Sequence, residues 1–332
     1  MGPVSQGEIE GLTEAFGFRF GHEAMATRFE AVIAGAERDY ARQAASAAFD
    51  EIDRLEAKLS RFVENSDVSQ INREAGREAV RISVETFDCL RLAKRMAKET
   101  GGAFDATVGA LMACWRSDNG SPRLPTPSEV AEARARTGWG LLELDEVAMT
   151  ARLKAAGARI DLGAIGKGFA LDRAAEILRE WGVASALIHG GASTVLVLGA
   201  PPGYEGWPVG VGIGAFNLSG ENEGEAPSRR RIEFRDKALS ASGMAVKSRH
   251  IIDPRTGYPV GFAAGQTAAE TLRAWAMGPS GGVADALSTA FMVMTAGEIQ
   301  SYCRDHADAS AMLLIGSASK RRLTAFGNWK AA

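Results

Sequence analysis

Asp161-Leu-Gly-Ala-Ile-Gly-Lys-Gly-Phe-Ala-Leu-Asp-Arg-Ala-Ala175 places three glycines within six positions, with Lys167 among them, directly ahead of a helical pattern. The stretch reads as strand, loop and helix, with the helix over 168–181. Backbone N–H groups at a helix start, plus one ammonium, make a seat for phosphate. The same glycines also suit a tight turn that lets the helix pack closely on a strand. The spacing is neither the P-loop pattern nor the dinucleotide GxGxxG, so the residues by themselves leave both readings open.

Outward from this stretch, helices and strands interleave. A strand is predicted over 25–34, where Phe29, Ala31 and Ile33 alternate with Arg28 and Glu30. A helix follows over 38–59, with Ala41, Ala44, Ala45, Ala48, Phe49, Ile52, Leu55 and Leu59 at helical spacing. Val63 to Ser69 reads as a polar loop. Further helices are predicted over 84–100, stopped by Gly101-Gly102, and over 107–115. The stretch 119–128, with three prolines, reads as a surface loop. Strands are expected at 184–189 and 194–198, joined by Gly190-Gly191, and again at 231–234 and 312–315. Residues 217–231 read as a solvated loop and 283–295 as a helix. No internal repeat or linker divides the chain, which points to an interleaved α+β fold.

Composition narrows the function classes. The chain has 332 residues, 46% of them hydrophobic, and a formal charge of −3 from 38 basic and 41 acidic residues. A core can be buried, and no polybasic field draws the protein to nucleic acid or anionic lipid. Cys89, Cys114 and Cys303 lie far apart with no CxxC or CxxH spacing, which argues against structural zinc. No run approaches the roughly 18 apolar residues of a spanning helix, and no leader pattern opens the sequence. The expectation is a cytoplasmic protein without membrane insertion, or an exported one if a leader has been trimmed from the sequence. The unusual count is glycine, at 38.

Three more segments carry chemistry. Ser240-Ala-Ser-Gly243 precedes His250-Ile-Ile-Asp-Pro-Arg-Thr-Gly257, where an imidazole stands beside a rigid turn. In Ala284-Asp-Ala-Leu-Ser-Thr-Ala290, Asp285 and Thr289 share one helical face, where a carboxylate and a hydroxyl suit a hard cation or simply solvate the helix. In Gly102-Ala-Phe-Asp-Ala-Thr-Val-Gly109, Asp105 stands where a helix begins, and an N-cap explains it without a ligand.

In this order and spacing the segments resemble the ApbE family, the FAD:protein FMN transferases. The likeness runs from Met25 to Gly297 and includes Met25-Ala-Thr27, Leu59-Ser-Arg-Phe62 with Ser66 and Asn72, and the Ala103-Phe104-Asp105 triplet. The resemblance implies an ApbE-like, T-fold-related architecture of antiparallel sheets packed against helices. One domain over 22–325 would follow an N-terminal extension over 1–21. It implies FAD as substrate and Mg²⁺ as metal. FMN would pass to a Ser or Thr of an acceptor flavoprotein carrying a flavinylation motif, with release of AMP. Carried over residue by residue, FAD would be held by Met25, Phe62, Ala103, Phe104, Asp105, Asp161, Lys167 and Ile251. The metal ligands would be the Ala164 carbonyl, the Asp285 carboxylate and the Thr289 hydroxyl. His250 is the expected base for the acceptor hydroxyl, with Asp253 as second choice.

Several positions depart from the family pattern. Phe62 stands at the usual Tyr, Ala26 at the usual Gly, and Gly190-Gly191-Ala-Ser193 at the usual Gly-Gly-Asp. Ser240-Ala-Ser-Gly243 replaces Thr-Ser-Gly, and His189 precedes the paired glycines, where a core histidine is expected. Two alternatives use the same residues: an FAD pyrophosphatase giving FMN and AMP, and a non-catalytic FAD-binding protein.

Overall fold

In the computed structural model, which describes residues 16–117, 120–211, 230–243, 251–262, 270–316 and 321–329, successive strands bury alternate residues on opposite faces of one large sheet. Its strands are β1 (Phe18–Ala24), β2 (Thr27–Ile33), β6 (Ala186–Gly190), β7 (Thr194–Leu198), β10 (Lys237–Gly243), β11 (Glu270–Gly278), β12 (Ser310–Gly316) and β13 (Arg321–Gly327). They lie in the order β1-β2-β6-β7-β10-β11-β12-β13, and every neighbouring pair is antiparallel. A smaller sheet joins β3 (Val80–Arg81), β5 (Thr150–Leu153) and β4 (Leu142–Asp145).

One face of the large sheet carries small side chains: Ala31, Ala186, Ala238, Ala274, Ala276 and Ala311 are all buried there. Helices therefore approach closely. Helix α1 (Arg38–Leu59), helix α6 (Gly166–Glu180) and helix α7 (Gly281–Val293) pack on this side, with α6 between the other two and α7 against β10 and β11. Each of the three helices buries several alanines, Ala44 and Ala48 on α1, Ala170 and Ala174 on α6, and Ala286 and Ala290 on α7 among them. The opposite face is bulkier and buries Val32, Leu187, Val197 and Trp275 under a two-stranded ribbon of β8 (Trp207–Val211) and β9 (Arg230–Phe234). The remaining helices are α2 (Asp67–Arg73), α3 (Val84–Glu99), α4 (Gly109–Cys114), α5 (Pro127–Ala135) and α8 (Ala296–Asp305). Among the described residues, no helix is long and apolar enough to cross a membrane.

The structure adjusts several expectations. β1 begins at Phe18, inside the stretch read as an N-terminal extension, and β13 runs to Gly327. The strand expected from Met25 starts at Thr27, because Met25 and Ala26 form a two-residue hairpin turn with φ of 49° and 56°. Helix α2 starts inside the polar loop read at 63–69. Ser66 caps it by accepting the Ser69 N–H, and only Val68 and Ile71 supply buried apolar contact, too few to show a period. Helix α5 likewise starts within the proline-rich stretch, with Pro127 in its first turn behind a Thr126–Glu129 capping box. Most of the solvated loop read at 217–231 lies outside the described residues.

The hairpin turn supplies a first prediction. Both central residues of such a turn need positive φ, which costs an L side chain about 1–2 kcal/mol. Ala26→Gly is therefore expected to stabilise the protein by about 1 kcal/mol once the extra freedom of glycine in the unfolded chain is set against the relief. The urea midpoint measures it.

Candidate active site

Helices α6 and α7 cross where no side chain fits. A Cβ on Gly168 would lie 2.0 Å from the Gly281 carbonyl oxygen, and one on Gly281 would lie 2.3 Å from the Gly168 oxygen. The two helices then cap each other. Asp285 of α7 accepts the Gly168 N–H on Oδ2 at 2.7 Å. Asp172 of α6 accepts the Gly281 and Gly282 N–H groups at 2.5 and 2.9 Å. Each carboxylate thus satisfies N–H groups that a helix start leaves without an internal partner.

Asp285 is also the centre of a hydroxyl cluster. Its Oδ1 accepts from Ser240 at 2.6 Å and from Thr194. Ser288 bonds the Asp285 carbonyl at 3.0 Å and the Ser242 hydroxyl at 2.8 Å, and Ser242 reaches Thr289 at 3.2 Å. The cluster exists because Thr194 and Ser240 are directly paired across β7 and β10, and α7 lies over that pair. Asp285 is 5% exposed, and no cationic side chain pairs with it among the described residues. A buried carboxylate held, among the described residues, only by neutral donors is short of positive charge there.

These contacts settle the role of one glycine. Gly168 is required by close packing, although its partner is helix α7 rather than a strand. A Cβ on Gly166 would meet nothing nearer than Leu162 at 3.7 Å. The Gly168 N–H is not open to a phosphate, because Asp285 already occupies it. Helix α6 closes its first internal bond from Phe169 N–H to the Ile165 carbonyl, so the Ala164 carbonyl stays outside the helical ladder. Lys167 stands half-buried on the first turn, with no described ion pair.

Burial pushes the Asp172 carboxyl up to about 6, against the Gly282 and Gly281 N–H bonds. The folded chain therefore keeps a proton that the unfolded chain releases near 3.8. Stability is expected to fall as pH rises between these two values, by roughly 2–3 kcal/mol from this group. Asp172→Asn removes that part of the slope in urea midpoints measured from pH 4 to 6.

Asp161 organises the approach to α6. Its N–H donates to the Ala106 carbonyl at 2.7 Å, Oδ1 accepts the Gly163 N–H at 2.8 Å, and Oδ2 pairs with Arg61 Nε at 2.8 Å. The Arg61 guanidinium lies 4.2 Å from the centroid of the Phe62 ring, and Phe62 is 82% exposed. An aromatic ring this open, braced from one side by a cation, is free to stack a planar ligand. Asn72 grips the backbone just before Asp161, donating to the Ile160 carbonyl and accepting its N–H. Ser66 and Asn72 are therefore scaffolding. Arg61, quoted within its motif but given no role by sequence reasoning, is the cation that holds Asp161.

Ala103 and Phe104 are buried in the core, so their side chains pack rather than project. Asp105 is not an N-cap: helix α4 starts at Gly109 behind Val108, which makes no side-chain cap. Its Oδ1 instead accepts the Thr107 N–H and hydroxyl, and Oδ2 the Trp139 N–H at 2.6 Å. Burial raises its carboxyl above the usual range in spite of these bonds. The Ala106–Asp161 bond joins this turn to the approach to α6.

Met25 is half-buried at the hairpin tip, where its N–H donates to Glu56 Oε2 at 2.7 Å. That tip touches the β6–β7 turn: a Cβ on Gly191 would lie 2.4 Å from Thr27 Oγ1. Ile251 is buried, and the segment after it is tied down at several points. Trp115 Nε1 bonds the Gly257 carbonyl at 2.8 Å, and Arg255 reaches Glu298 and the Val293 carbonyl. Both Asp253 oxygens accept from Arg255, which makes Asp253 a turn brace rather than a free base. His250 lies outside the described residues. Among those described, no three His, Cys, Asp or Glu side chains converge as a metal site. A cation here would rely on Asp285 with carbonyl and hydroxyl oxygens.

Comparison with known proteins gives the arrangement a lineage. The chain is 30% identical over 225 residues to a Klebsiella pneumoniae FAD:protein FMN transferase, which covers 65% of this chain and 66% of that protein. It is 28% identical over 253 residues to the Haemophilus influenzae FAD:protein FMN transferase, covering 72% and 69%. Among solved structures, the ApbE protein of Thermotoga maritima superimposes with a TM-score of 0.76 at 25% identity, covering 93% of this chain and 96% of that one. The flavin transferase ApbE of Vibrio cholerae, at 20% identity and a TM-score of 0.75, shares the fold over the same proportions. The ApbE family model matches residues 25–314, a span that holds the hairpin tip, the Asp161 turn and both mutually capped helices. The chain belongs to the ApbE family.

Proposed function

We propose that the protein is a Mg²⁺-dependent FAD:protein FMN transferase. It moves FMN from FAD to a Ser or Thr hydroxyl of an acceptor flavoprotein and releases AMP. The observation that carries this reading is Asp285, a buried carboxylate without a described cationic partner at the start of helix α6. A phosphate brought to that helix start meets a negative charge, so the site needs a cation between them.

The residues present fit Mg²⁺. Asp285 Oδ2 has one described bond and a lone pair to spare, the Ala164 carbonyl stands clear of the helix, and the Thr289 hydroxyl bonds only Ser242 among the described contacts. All three donors are oxygen, as a hard ion requires. Bound there, Mg²⁺ supplies positive charge against the pyrophosphate and the leaving phosphate.

The chain's own groups do the rest. Phe62 offers its open face to a ring of FAD, but without the hydroxyl of the usual Tyr it adds no hydrogen bond there. Met25, the backbone of 103–105 and Ile251 complete the set that would hold FAD, and Asp161 keeps Arg61 and the α6 approach in place. Lys167 adds an ammonium beside the phosphates. The acceptor oxygen attacks the phosphorus of the FMN half, the bridging P–O bond breaks, and AMP leaves with the bridging oxygen. The hydroxyl proton passes to His250.

His250→Ala tests this assignment. The variant is expected to bind FAD as the wild type does and to lose transfer by about 100-fold or more. Transfer at the normal rate would remove His250 from the mechanism.

A further inference from the structure

His189, in β6, is bonded at both ring nitrogens. Nδ1 lies 3.0 Å from the Gly191 carbonyl oxygen and Nε2 lies 2.9 Å from Glu30 Oε2. A carbonyl oxygen has no proton to give, so Nδ1 must carry one. Burial pushes the Glu30 carboxyl up, but its bond to His189 and the neighbouring charges, Arg19 and Arg28 among them, outweigh this and hold it below the usual range. The pair is 19% and 13% exposed, so its bond is better shielded from water than that of a surface pair.

The carbonyl that His189 holds opens the Gly191–Ser193 turn. The Gly191 N–H is fixed to the Arg28 carbonyl at 2.7 Å. At the far end of the turn, the Ser193 carbonyl accepts the Ala241 N–H at 2.7 Å and the Ser240 hydroxyl at 3.2 Å. The next residue, Thr194, donates to Asp285. Ala192 makes no described side-chain bond. The charged groups facing His189 come from two strands: Glu30 and Arg28 on β2, and Arg19 on β1, 3.7 Å from Glu30.

We propose that His189, bonded to Glu30 and to the Gly191 carbonyl, is the positioning residue that sets the Gly190–Ser193 turn and through it the Thr194 and Ser240 hydroxyls that orient Asp285. It touches neither substrate nor metal, and its effect on metal binding rests on the reading of Asp285 given above.

Two measurements on the full chain test this. The chain has four histidines, so His189→Gln identifies the His189 signals in long-range ¹H–¹⁵N spectra. The wild-type ring is expected to carry a proton on Nδ1, the nitrogen that faces the Gly191 carbonyl. A wild-type ring without a proton on Nδ1 would overturn the proposal. In Mg²⁺ titrations in the presence of FAD, His189→Gln and Glu30→Gln are each expected to weaken binding roughly tenfold, with melting curves showing that both variants fold. Equal Mg²⁺ affinity in folded variants would also overturn it. Failure of the wild type to bind Mg²⁺ would instead count against the Asp285 reading, and the ring spectrum would still decide the clamp.

Discussion

Gly168→Ala is expected to destabilise the protein by about 3 kcal/mol or more. The added Cβ would lie 2.0 Å from the Gly281 oxygen and 2.3 Å from its carbonyl carbon, both backbone atoms of a packed helix. No rotamer relieves such a clash. Relief requires helices α6 and α7 to separate, and separation stretches the Asp285–Gly168 bond and both Asp172 caps. It also opens the alanine-rich contact beneath them. Gly166→Ala is the control: two residues earlier, its nearest neighbour is 3.7 Å away, and the substitution is expected to be neutral or slightly stabilising. Urea midpoints of the two variants measure the difference. Equal stability would mean that the helices do not cross at this contact.

Asp285 separates structure from chemistry. Asp285→Asn keeps an acceptor for the Gly168 N–H and relieves a buried carboxylate of its desolvation cost. It is expected to fold about as well as the wild type without metal, to lack the rise in Tm expected of the wild type with Mg²⁺, and to lose transfer roughly 100-fold or more. Asp285→Ala strands the Gly168 N–H, at about 1–3 kcal/mol for a group left unpaired in the interior, and leaves Ser240 and Thr194 with longer bonds, to the Ser193 carbonyl at 3.2 Å and to each other at 3.2 Å. Melting curves with and without Mg²⁺ distinguish the two variants. An Asn variant that melted higher with Mg²⁺ as the wild type does would remove Asp285 from the metal site.

The sequence made the fold legible where apolar period and punctuation agree. Helix α1 runs over Arg38–Leu59, the span of its alanine and leucine stripe, and β7 runs over Thr194–Leu198 as its apolar run implies. Pattern failed where tertiary partners decide. Strand β1 mixes Arg19, Gly21, His22 and Glu23 with two phenylalanines and is a strand because β2 pairs along its whole length. The small residues of β10 and β11 gave weak strand signals, because alanine and serine are there to let α7 approach.

At the site, motif spacing located the segments but not the contacts between them. Asp172 stood inside the stretch that decided the reading, yet its role as the cap of α7 depends on a helix that begins 109 residues later in the chain. Ser240 and Ser242 were visible as a motif, while their convergence on Asp285 and Thr289 required the sheet register. Asp105 followed the N-cap pattern and proved to brace Trp139, because the next helix starts further on.

The most direct measurement of the proposed activity incubates the purified protein with FAD, Mg²⁺ and an acceptor domain carrying an Asp-containing Ser/Thr-Gly-Ala-Thr-type motif. The acceptor is then followed by fluorescence on denaturing gels and by intact mass. The expected result is a fluorescent acceptor heavier by FMN less one water, with one AMP released per flavin attached and neither product formed without Mg²⁺. Free FMN and AMP beside an unlabelled acceptor, or FAD recovered intact, would contradict transfer.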